Sequence, residues 1–409
     1  MPLDIKSIFS INFINLSLNQ AVNIIATLIY TPILFQTLGD ENFGLIHLAF
    51  SILTLYAIFV RFGYDFNAPV KIAKISDNLE EVSYVNRIIS LRVFLSMILF
   101  LISIPIIFIF FESNFNKILI FSFTILISES LNPLFYLQGK NKILPQVILN
   151  FLSKSIYVIL ILIFISGSND AYLANFFYGL SISVFYTIYW VRYFNKSAIS
   201  NLVFSSKKII FSIKENFIFF ISSTSAHFSI NSALIILSLF VNDKELGRFT
   251  LAYKVAFILR MVPVFFIQSA LQQASKSFTK SKQEYKVYTS KYFKFGLLIT
   301  FVISSLSYVF SDLIIYILAH EKINYSSNIL SLISFVPFLA MLNFKNITYI
   351  LVNDLKFILN KATFYTLIFM FISSLILSYL YGGYGMALSL LLTELFSFFI
   401  HYFLIKKYE

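Results

Sequence analysis

The chain has 409 residues, of which 58% are hydrophobic and only 12% are charged, and its formal net charge is +12. A soluble protein needs roughly a quarter of its residues charged to cover its surface. These values therefore exclude a soluble domain and predict a protein whose exterior faces lipid. Cysteine is absent, which excludes disulfides and thiolate metal sites. The net positive charge does not indicate nucleic-acid binding, because the cations lie in particular loops between apolar stretches.

The apolar stretches predict an all-α polytopic membrane protein. A transmembrane helix needs about 20 mostly apolar residues. We expect about twelve such helices, of which the seventh is long enough to begin along the membrane surface, and the first is too long and lacks the cleavage site of a signal peptide. The predicted spans are 8–38, 43–68, 88–111, 117–137, 143–165, 171–191, 210–241, 246–271, 292–319, 327–352, 357–381 and 384–405.

Lysine and arginine concentrate in alternate loops, which predicts the orientation of the chain. The loops near 71–92, 192–214 and 276–294 are basic, whereas the loops between them are short and carry acids such as Asp40 and Asp243. Because basic loops face the cytoplasm, we expect both termini in the cytoplasm. The short outer loops leave no room for a folded soluble domain, so we expect the function to lie within the membrane.

A weak internal repeat predicts two halves. A turn rich in glycine and acids spans 37–44, and a similar pattern returns about half a chain later. We therefore expect two six-helix lobes, 1–200 and 201–409, each containing the same hairpin. The matched pairs are Leu38 and Val241, Asp40 and Asp243, Gly44 and Gly247, Leu48 and Leu251, and Ala49 and Ala252.

Five cations within predicted spans are candidate substrate-binding residues. An ionisable group at the middle of a bilayer costs about 2.5–3.5 kcal/mol, so most of them must face one another or a watery cavity. Cations from several helices suit an anionic, phosphate-bearing substrate. The alternative is an ion pair for each cation, such as Arg61 with Asp65 at i, i+4 on one helical face, or headgroup contact for Lys345 near a helix end. The five are Arg260, Lys254, Lys154, Arg61 and Lys345.

Four acids are candidates for ion coupling, namely Asp65, Glu129, Glu394 and Asp312. They could carry a proton or bind sodium during a transport cycle, or they could only neutralise neighbouring cations. No phosphate-cradling loop, zinc-ligand spacing or nucleophile elbow occurs, so we expect no catalytic residue, no bound metal and no cofactor other than H+ or Na+.

Polar residues in the first span recur every four residues and form one stripe. They either line a cavity or join helices by hydrogen bonds. A second polar cluster lies at 222–232 and includes His227, for which helix packing is favoured over proton relay. The residues predicted to line a cavity are Asn15, Asn19, Gln20, Asn23 and Thr27.

The segment 38–52, Leu-Gly-Asp-Glu-Asn-Phe-Gly-Leu-Ile-His-Leu-Ala-Phe-Ser-Ile, resembles the start of the Wzx-type flippases for O-antigen and capsular polysaccharide. These belong to the MOP exporter superfamily, which includes the MATE transporters. Phe62, Gly63 and Lys71 keep the family pattern of the following segment, whereas Asp65 and Pro69 depart from it.

The resemblance implies two six-helix bundles that face each other across a cationic cavity. It implies export of oligosaccharide units linked to undecaprenyl pyrophosphate from the cytoplasmic to the periplasmic leaflet of a bacterial inner membrane, by alternating access. The expected partners are this substrate and membrane lipids, with a polysaccharide polymerase and a chain-length regulator as further candidates, and no nucleic acid.

Two other functions remain open at this stage. An ion-coupled multidrug or metabolite antiporter would share the fold, but cationic drugs require acids, and the candidate cations outnumber the acids within the spans. A membrane-embedded polysaccharide polymerase or ligase would share the hydrophobicity, but such enzymes carry a large outer loop, which this chain lacks.

Overall fold

A computed structural model describes residues 11–110, 112–196 and 231–408, together with the single positions 213, 216, 217, 220, 224 and 228. Every regular element in these residues is helical. The chain divides into two units, an N-terminal unit Ile14–Ser232 and a C-terminal unit that contains Ala233–Glu409. The boundary predicted at residue 200 lies outside the described residues, so the predicted lobes stay a prediction.

The N-terminal unit contains eight described α-helices, which pack in part through contacts of α2 with α6, of α5 with α8 and of α7 with α8. A short 3-10 turn, Ser168–Asp170, precedes the last of them. The helices are α1 Ile11–Arg61, α2 Tyr64–Ile72, α3 Asn78–Phe110, α4 Ser113–Ser122, α5 Thr124–Ser130, α6 Leu134–Gly139, α7 Leu144–Phe164 and α8 Ala171–Lys196.

The C-terminal unit also contains eight described α-helices, in which α10 packs against α11 and α13, and the last helix packs against α9, α14 and α15. The helices are α9 Ala233–Leu237, α10 Asp243–Lys280, α11 Lys282–Val309, α12 Ser311–Ala319, α13 Asn324–Ile333, α14 Val336–Leu342, α15 Phe344–Val352 and α16 Lys356–Tyr408.

Glycines divide the two longest helices. The 51 residues of α1 would extend about 77 Å at 1.5 Å per residue, more than twice the roughly 30 Å of a hydrocarbon core. The helical geometry is interrupted at Gly39 (φ 76°), and in α16 it is interrupted at Gly382 (φ 56°). Left-handed backbone is tolerated by glycine because it has no Cβ. Both breaks lie between two predicted spans.

Nine helical stretches within the described part of the chain are long and apolar enough to cross a membrane, and among them Ser113–Gly139 and Asn324–Val352 each consist of three short helices. Two of these nine are the helices broken at Gly39 and Gly382. The seventh predicted span, 210–241, lies mostly outside the described residues, so the total of twelve spans stays a prediction. The all-α polytopic class is confirmed.

The second predicted span, 43–68, is wrong at its end. The helix ends at Arg61, and a new helix begins at Tyr64 after two residues with left-handed backbone, Phe62 (φ 43°) and Gly63 (φ 74°). Arg61 and Asp65 therefore do not share one continuous helical face. The hydrophobicity of 43–68 hides this break, because it depends on backbone angles at two residues.

Other predicted spans are continuous in hydropathy but interrupted in structure. The stretch 327–352 forms α13, α14 and α15, with Ser334 and Asn343 at the junctions. The stretch 117–137 is divided in the same way among α4, α5 and α6. Both stretches are confirmed as candidate membrane spans, Asn324–Val352 and Ser113–Gly139. Each consists of three short helices rather than one, because apolar composition does not register a local turn.

Candidate functional site

The predicted ion pair between Arg61 and Asp65 belongs to a four-residue charge cluster in the N-terminal unit. Arg61 Nη1 lies 3.5 Å from Asp65 Oδ2, and Arg61 Nε lies 3.9 Å from Glu129 Oε2. Arg92 Nη2 donates to Asp65 Oδ1 at 3.0 Å. Two guanidinium groups and two carboxylates balance in formal charge. The structure therefore brings one candidate cation and two candidate coupling acids together as one ion-pair network.

Arg92 is the member of this cluster that the sequence reasoning missed, since it was assigned to a basic loop. Its side chain is 1% exposed, and its guanidinium lies 4.7 Å from the centroid of the Phe135 ring. Its Nη1 also donates to the carbonyl of Asn132 at 3.4 Å. The available signal was its position inside the predicted span 88–111, where a buried cation needs an acid partner.

Lys154 lies on α7 among aromatic rings. The residue is only 5% exposed, and its Nζ lies 3.5 Å from the centroid of the Tyr178 ring. Tyr157 packs edge-on against both Tyr30 and Tyr178, with centroid separations of 5.3 and 5.2 Å. An ammonium over a ring face is attracted by the ring quadrupole, most strongly when water is excluded. The structure thus holds a cation inside the N-terminal unit within an aromatic setting.

The polar stripe of α1 joins α1 to α7. Asn150 Nδ2 donates to Asn19 Oδ1 and to Asn23 Oδ1, each at 3.0 Å. Thr27 donates to the carbonyl of Asn23 at 2.8 Å, while Asn15 is buried and Gln20 is half-buried. The bonds of Asn150 join two helices in the way that amides do in membranes, whereas the bond of Thr27 lies within α1. Lining of a cavity by this stripe stays a prediction.

In the C-terminal unit, Arg260 and Glu394 form a close ion pair. Arg260 Nε on α10 donates to Glu394 Oε1 on α16 at 2.6 Å. The side chain of Glu394 is 12% exposed, whereas that of Arg260 is 34% exposed. Charge-assisted bonds of this length are the strong class of hydrogen bond. The Glu394 side chain is therefore mostly buried, while about a third of the Arg260 side chain stays accessible.

The remaining candidates of this unit are spread over three helices. Lys254 is half-buried and precedes Arg260 on α10 by about a turn and a half. Lys345 is exposed on α15, with its Nζ 4.7 Å from the centroid of the Phe293 ring. Asp312 is exposed in the first turn of α12 and makes no ion pair within the described residues.

A second polar network in this unit was not singled out from the sequence. Asn343 Nδ2 donates to Ser397 Oγ at 3.0 Å and lies 3.3 Å from His401 Nδ1. Asn346 donates to Asn343 Oδ1 at 3.1 Å. Asn343 lies at the junction of α14 and α15, where a backbone turn needs support. The network therefore attaches a helix junction to α16.

Of the second predicted polar cluster, Ser222, Ser223, Ser225, His227 and Ser229 lie outside the described residues. Across the described part of the chain, no group of three His, Cys, Asp or Glu side chains could hold a metal ion.

The sequence profile of a family described as "Polysaccharide biosynthesis protein" matches residues 10–272, which is more than half of the chain. The chain belongs to this family. The family that the segments 38–52 and 62–73 indicated is thereby confirmed. The matched range contains every candidate residue of the N-terminal unit together with Lys254 and Arg260. Asp312, Lys345 and Glu394 lie beyond it.

Two curated relatives carry the description "Putative O-antigen transporter". The relative from Escherichia coli (strain K12) is 25% identical over 243 residues, which is 59% of this chain and 59% of that protein. The relative from Shigella dysenteriae is 26% identical over 298 residues, which is 71% of this chain and 73% of that protein. The match thus spans about three fifths of the length of the Escherichia coli relative.

Solved structures share the fold across nearly the whole chain. An inward-facing multidrug resistance MATE family transporter of the MOP superfamily superposes with a TM-score of 0.70 at 14% identity, covering 94% of each chain. The lipid II flippase MurJ, in an inward closed conformation, gives a TM-score of 0.68 at 16% identity, covering 97% of this chain and 88% of that chain. At these identities the likeness shows the fold alone, and it confirms the MOP-type fold.

Proposed function

We propose that this protein is a flippase that moves lipid-linked oligosaccharide units, carried on undecaprenyl pyrophosphate, from the cytoplasmic to the outer leaflet of a bacterial cytoplasmic membrane. Membership of the polysaccharide biosynthesis family supports a glycan substrate. The observation that carries the proposal is Arg260, a cation on a membrane-spanning helix that keeps part of its surface accessible beside an almost buried carboxylate.

The charge balance of the spans supports an anionic cargo. The N-terminal unit has three such cations, Arg61, Arg92 and Lys154, and two acids, Asp65 and Glu129. The C-terminal unit has three cations, Lys254, Arg260 and Lys345, and one paired acid, Glu394. Among these described residues cations are in excess in each unit, although every charge within a membrane is costly. A pyrophosphate passing through the protein would offset that cost, because its oxygens accept hydrogen bonds from guanidinium and ammonium groups.

The Arg260–Glu394 pair supplies a mechanism for coupling. A pyrophosphate that binds the accessible face of Arg260 competes with Glu394 for the same guanidinium. Glu394, released from its partner in a poorly hydrated setting, then favours uptake of a counter-cation, H+ or Na+. We propose that this exchange links substrate entry to ion binding during alternating access. The protein acts as a transporter without a catalytic residue of its own.

The charge excess also weighs against a multidrug antiporter, since a cationic drug would be repelled by the same residues. We further propose that both termini face the cytoplasm, as the alternating basic loops predict. A polysaccharide polymerase and a chain-length regulator are the proposed protein partners, because units delivered to the outer leaflet require assembly into chains.

The experiment uses the purified chain in proteoliposomes that contain lipid-linked oligosaccharide in both leaflets. Units in the outer leaflet are labelled by a membrane-impermeant glycan-modifying enzyme, so that the labelled fraction reports flipping. We expect the labelled fraction to exceed one half only when the protein is present. Cells lacking the protein should accumulate unflipped units on the cytoplasmic face.

Three outcomes would contradict the proposal. Normal surface glycan in cells that lack the protein would remove the transport role. Accumulation of a cationic drug on deletion, with glycan display unchanged, would favour the antiporter. Glycan elongation by the purified protein would favour a polymerase or ligase.

A further inference from the structure

An apolar groove with a volume of about 460 Å³ lies in the N-terminal unit, between α3 and the two short helices α4 and α5, and we call it the α3–α5 groove. Residues of these three helices line it, together with Phe176 of α8. Phe123 and Leu126 are buried at its base, whereas Met97 and Ile127 are more than half exposed at its rim. The groove is therefore open to its surroundings on one side.

Lipid hydrocarbon is the medium that surrounds this opening. The lining residues of α3 lie within the candidate membrane span Asn78–Ile109, and those of α4 and α5 lie within the span Ser113–Gly139. The hydrocarbon core of a bilayer is about 30 Å thick and contains no water. The occupant that can reach the α3–α5 groove is therefore the apolar chain of a lipid.

The hydroxyl groups of the lining do not form a polar site. Ser96 and Ser130 each donate to the backbone carbonyl four residues earlier, at 3.0 and 2.8 Å. Thr124 donates to the carbonyl of Phe176 at 3.1 Å. A hydroxyl has one proton to donate, and each of these three protons is already used within the protein. The lining side chains, all of them within the described residues, therefore suit hydrocarbon rather than a polar group.

The outline of the groove is uneven, because small side chains lie among aromatic rings. Ser96 and Ser130, whose Oγ atoms are 2.5 Å apart, share the lining with the Phe100 and Phe123 rings, whose centroids are 4.9 Å apart. A chain that enters from the bilayer exchanges one apolar environment for another, so burial of apolar surface does not select it. Selection depends on contacts, which are lost wherever a gap remains. A straight acyl chain leaves the recesses at the serines unfilled, whereas the methyl branches of a polyprenyl chain fill them.

The groove lies next to the charge cluster of Arg61, Asp65, Arg92 and Glu129. Arg92 precedes Ser96 by about one turn on the same face of α3, and its carbonyl accepts the hydrogen bond of the Ser96 hydroxyl. Arg92 lies toward the start of α3, which follows the basic loop predicted to be cytoplasmic. An apolar chain site and guanidinium groups thus occur side by side. A polyprenyl pyrophosphate combines the matching features, an apolar chain and an anionic head group.

We propose that the α3–α5 groove binds the part of the polyprenyl chain that is nearest to the pyrophosphate of the lipid carrier. This inference rests on the proposed flippase function, to which it adds a site for the chain of the substrate. The groove selects the branched chain over the straight acyl chains of the bilayer. It orients the carrier so that the anionic head group lies on the side of the charge cluster.

The test is photo-cross-linking of the full chain in phosphatidylcholine nanodiscs. One probe is undecaprenyl phosphate with a diazirine in a prenyl unit close to the phosphate, and the other is phosphatidylcholine with a diazirine in an acyl chain. Mass spectrometry of the cross-linked peptides maps the labelled residues. Unlabelled undecaprenyl phosphate and phosphatidate are the competitors. Both carry a phosphate monoester, so the comparison between them tests the chain.

We expect the prenyl probe to label the lining of the groove saturably, and undecaprenyl phosphate, but not phosphatidate, to abolish this labelling. Met97→Trp places an indole ring at the rim and should remove the labelling of the groove. Leu101→Trp is the matched control, because Leu101 is exposed one turn further along α3 and does not line the groove. It should be labelled as the wild type is. Ile127→Trp, also at the rim, repeats the test if Met97→Trp does not fold.

The inference is overturned if the prenyl probe labels the lipid-facing residues without preference, if phosphatidate competes equally, or if the rim variants are labelled as the wild type is. Equal labelling of the groove by the acyl probe would assign it to bulk lipid and would also overturn the inference. Flipping in proteoliposomes without labelling of the groove overturns this inference alone. Labelling of the groove in a chain that does not flip its substrate supports the chain site and removes the transport role.

Discussion

Arg260 donates from its Nε to Glu394 Oε1 at 2.6 Å, across helices that are separated by more than a hundred residues of sequence. From the sequence, we predicted Arg260 as a substrate-binding residue and Glu394 as an ion-coupling residue, without a contact between them. Because the two side chains are in contact, replacing either residue changes the electrostatic surroundings of the other. A single substitution therefore cannot separate a structural from a functional role.

A double-mutant cycle separates these roles. Arg260→Ala leaves the carboxylate of Glu394 without its partner. It should lower the free energy of unfolding by about 1–3 kcal/mol, which lies between the effects of breaking exposed and buried ion pairs. Arg260→Gln/Glu394→Gln removes both charges and should recover most of the thermal stability. We expect flipping in proteoliposomes to remain low in the double variant, with membrane insertion intact. Wild-type flipping by the double variant would show that the arginine only neutralises the glutamate.

Arg92 should be intolerant of replacement by lysine. A single ammonium cannot reproduce the contacts of the guanidinium with Asp65, the Asn132 carbonyl and the Phe135 ring. We expect Arg92→Lys to destabilise the protein by about 2 kcal/mol or more, because Arg92 is buried and charge-assisted bonds are lost. Thermal unfolding in detergent measures the change.

The matched control is Arg192→Lys, an exposed arginine of the same unit. The free energy of unfolding of this variant should lie within about 0.5 kcal/mol of that of the wild type. Equal stability of the two variants would contradict a structural role for Arg92.

Glu81 should stabilise the loops that close the N-terminal unit on the predicted cytoplasmic side. It is buried, and it pairs with Lys140 while accepting hydrogen bonds from Tyr136 and Tyr193. Glu81→Gln keeps the shape of the side chain but removes its charge. We expect the free energy of unfolding to fall by about 1–3 kcal/mol. Glu80→Gln changes the adjacent exposed carboxylate and should leave the unfolding temperature nearly unchanged. The same shift in both variants would rule out a specific role for Glu81.

Gly179 should be needed for the close approach of α5 and α8. A Cβ at this position would lie 2.3 Å from the backbone carbon of Thr124, which cannot move aside as a flexible side chain would. Gly179→Ala should therefore lower the free energy of unfolding by about 1–3 kcal/mol, because the added methyl group overpacks the contact between the two helices. Gly167→Ala is the control, because a Cβ there meets nothing within 4 Å. Comparable thermal stability of the two variants would contradict the close packing.

Much of the architecture follows from the sequence because lipid imposes a simple rule. A backbone in hydrocarbon must satisfy its hydrogen bonds internally, so long uncharged stretches form helices. This rule is sufficient for the all-α class and for the breaks near Gly39 and Gly382. It does not predict the interruption at Phe62–Gly63 or the junction at Asn343, since both occur within stretches of uniform hydropathy.

The candidate site shows the same division. The sequence identified Arg61, Asp65, Glu129, Arg260 and Glu394 as charges that need a partner, because the cost of a charge in a bilayer depends on residue type and depth alone. The i, i+4 spacing indicated the pairing of Arg61 with Asp65. The other pairings depend on which helices pack together, and no local pattern encodes them. Arg92 shows this directly, since only the packing of α3 against its neighbours places its guanidinium on Asp65.

The sequence by itself therefore determined the membrane class, the family and most of the costly charges, because composition and short motifs carry that information. Only the tertiary structure decided the pairings between helices remote in sequence, such as that of Arg260 with Glu394. It also brought Asn150 of α7 into contact with Asn19 and Asn23 of α1. The physical reason is that electrostatic energy depends on distances between side chains, and these distances are set by helix packing between segments remote in sequence.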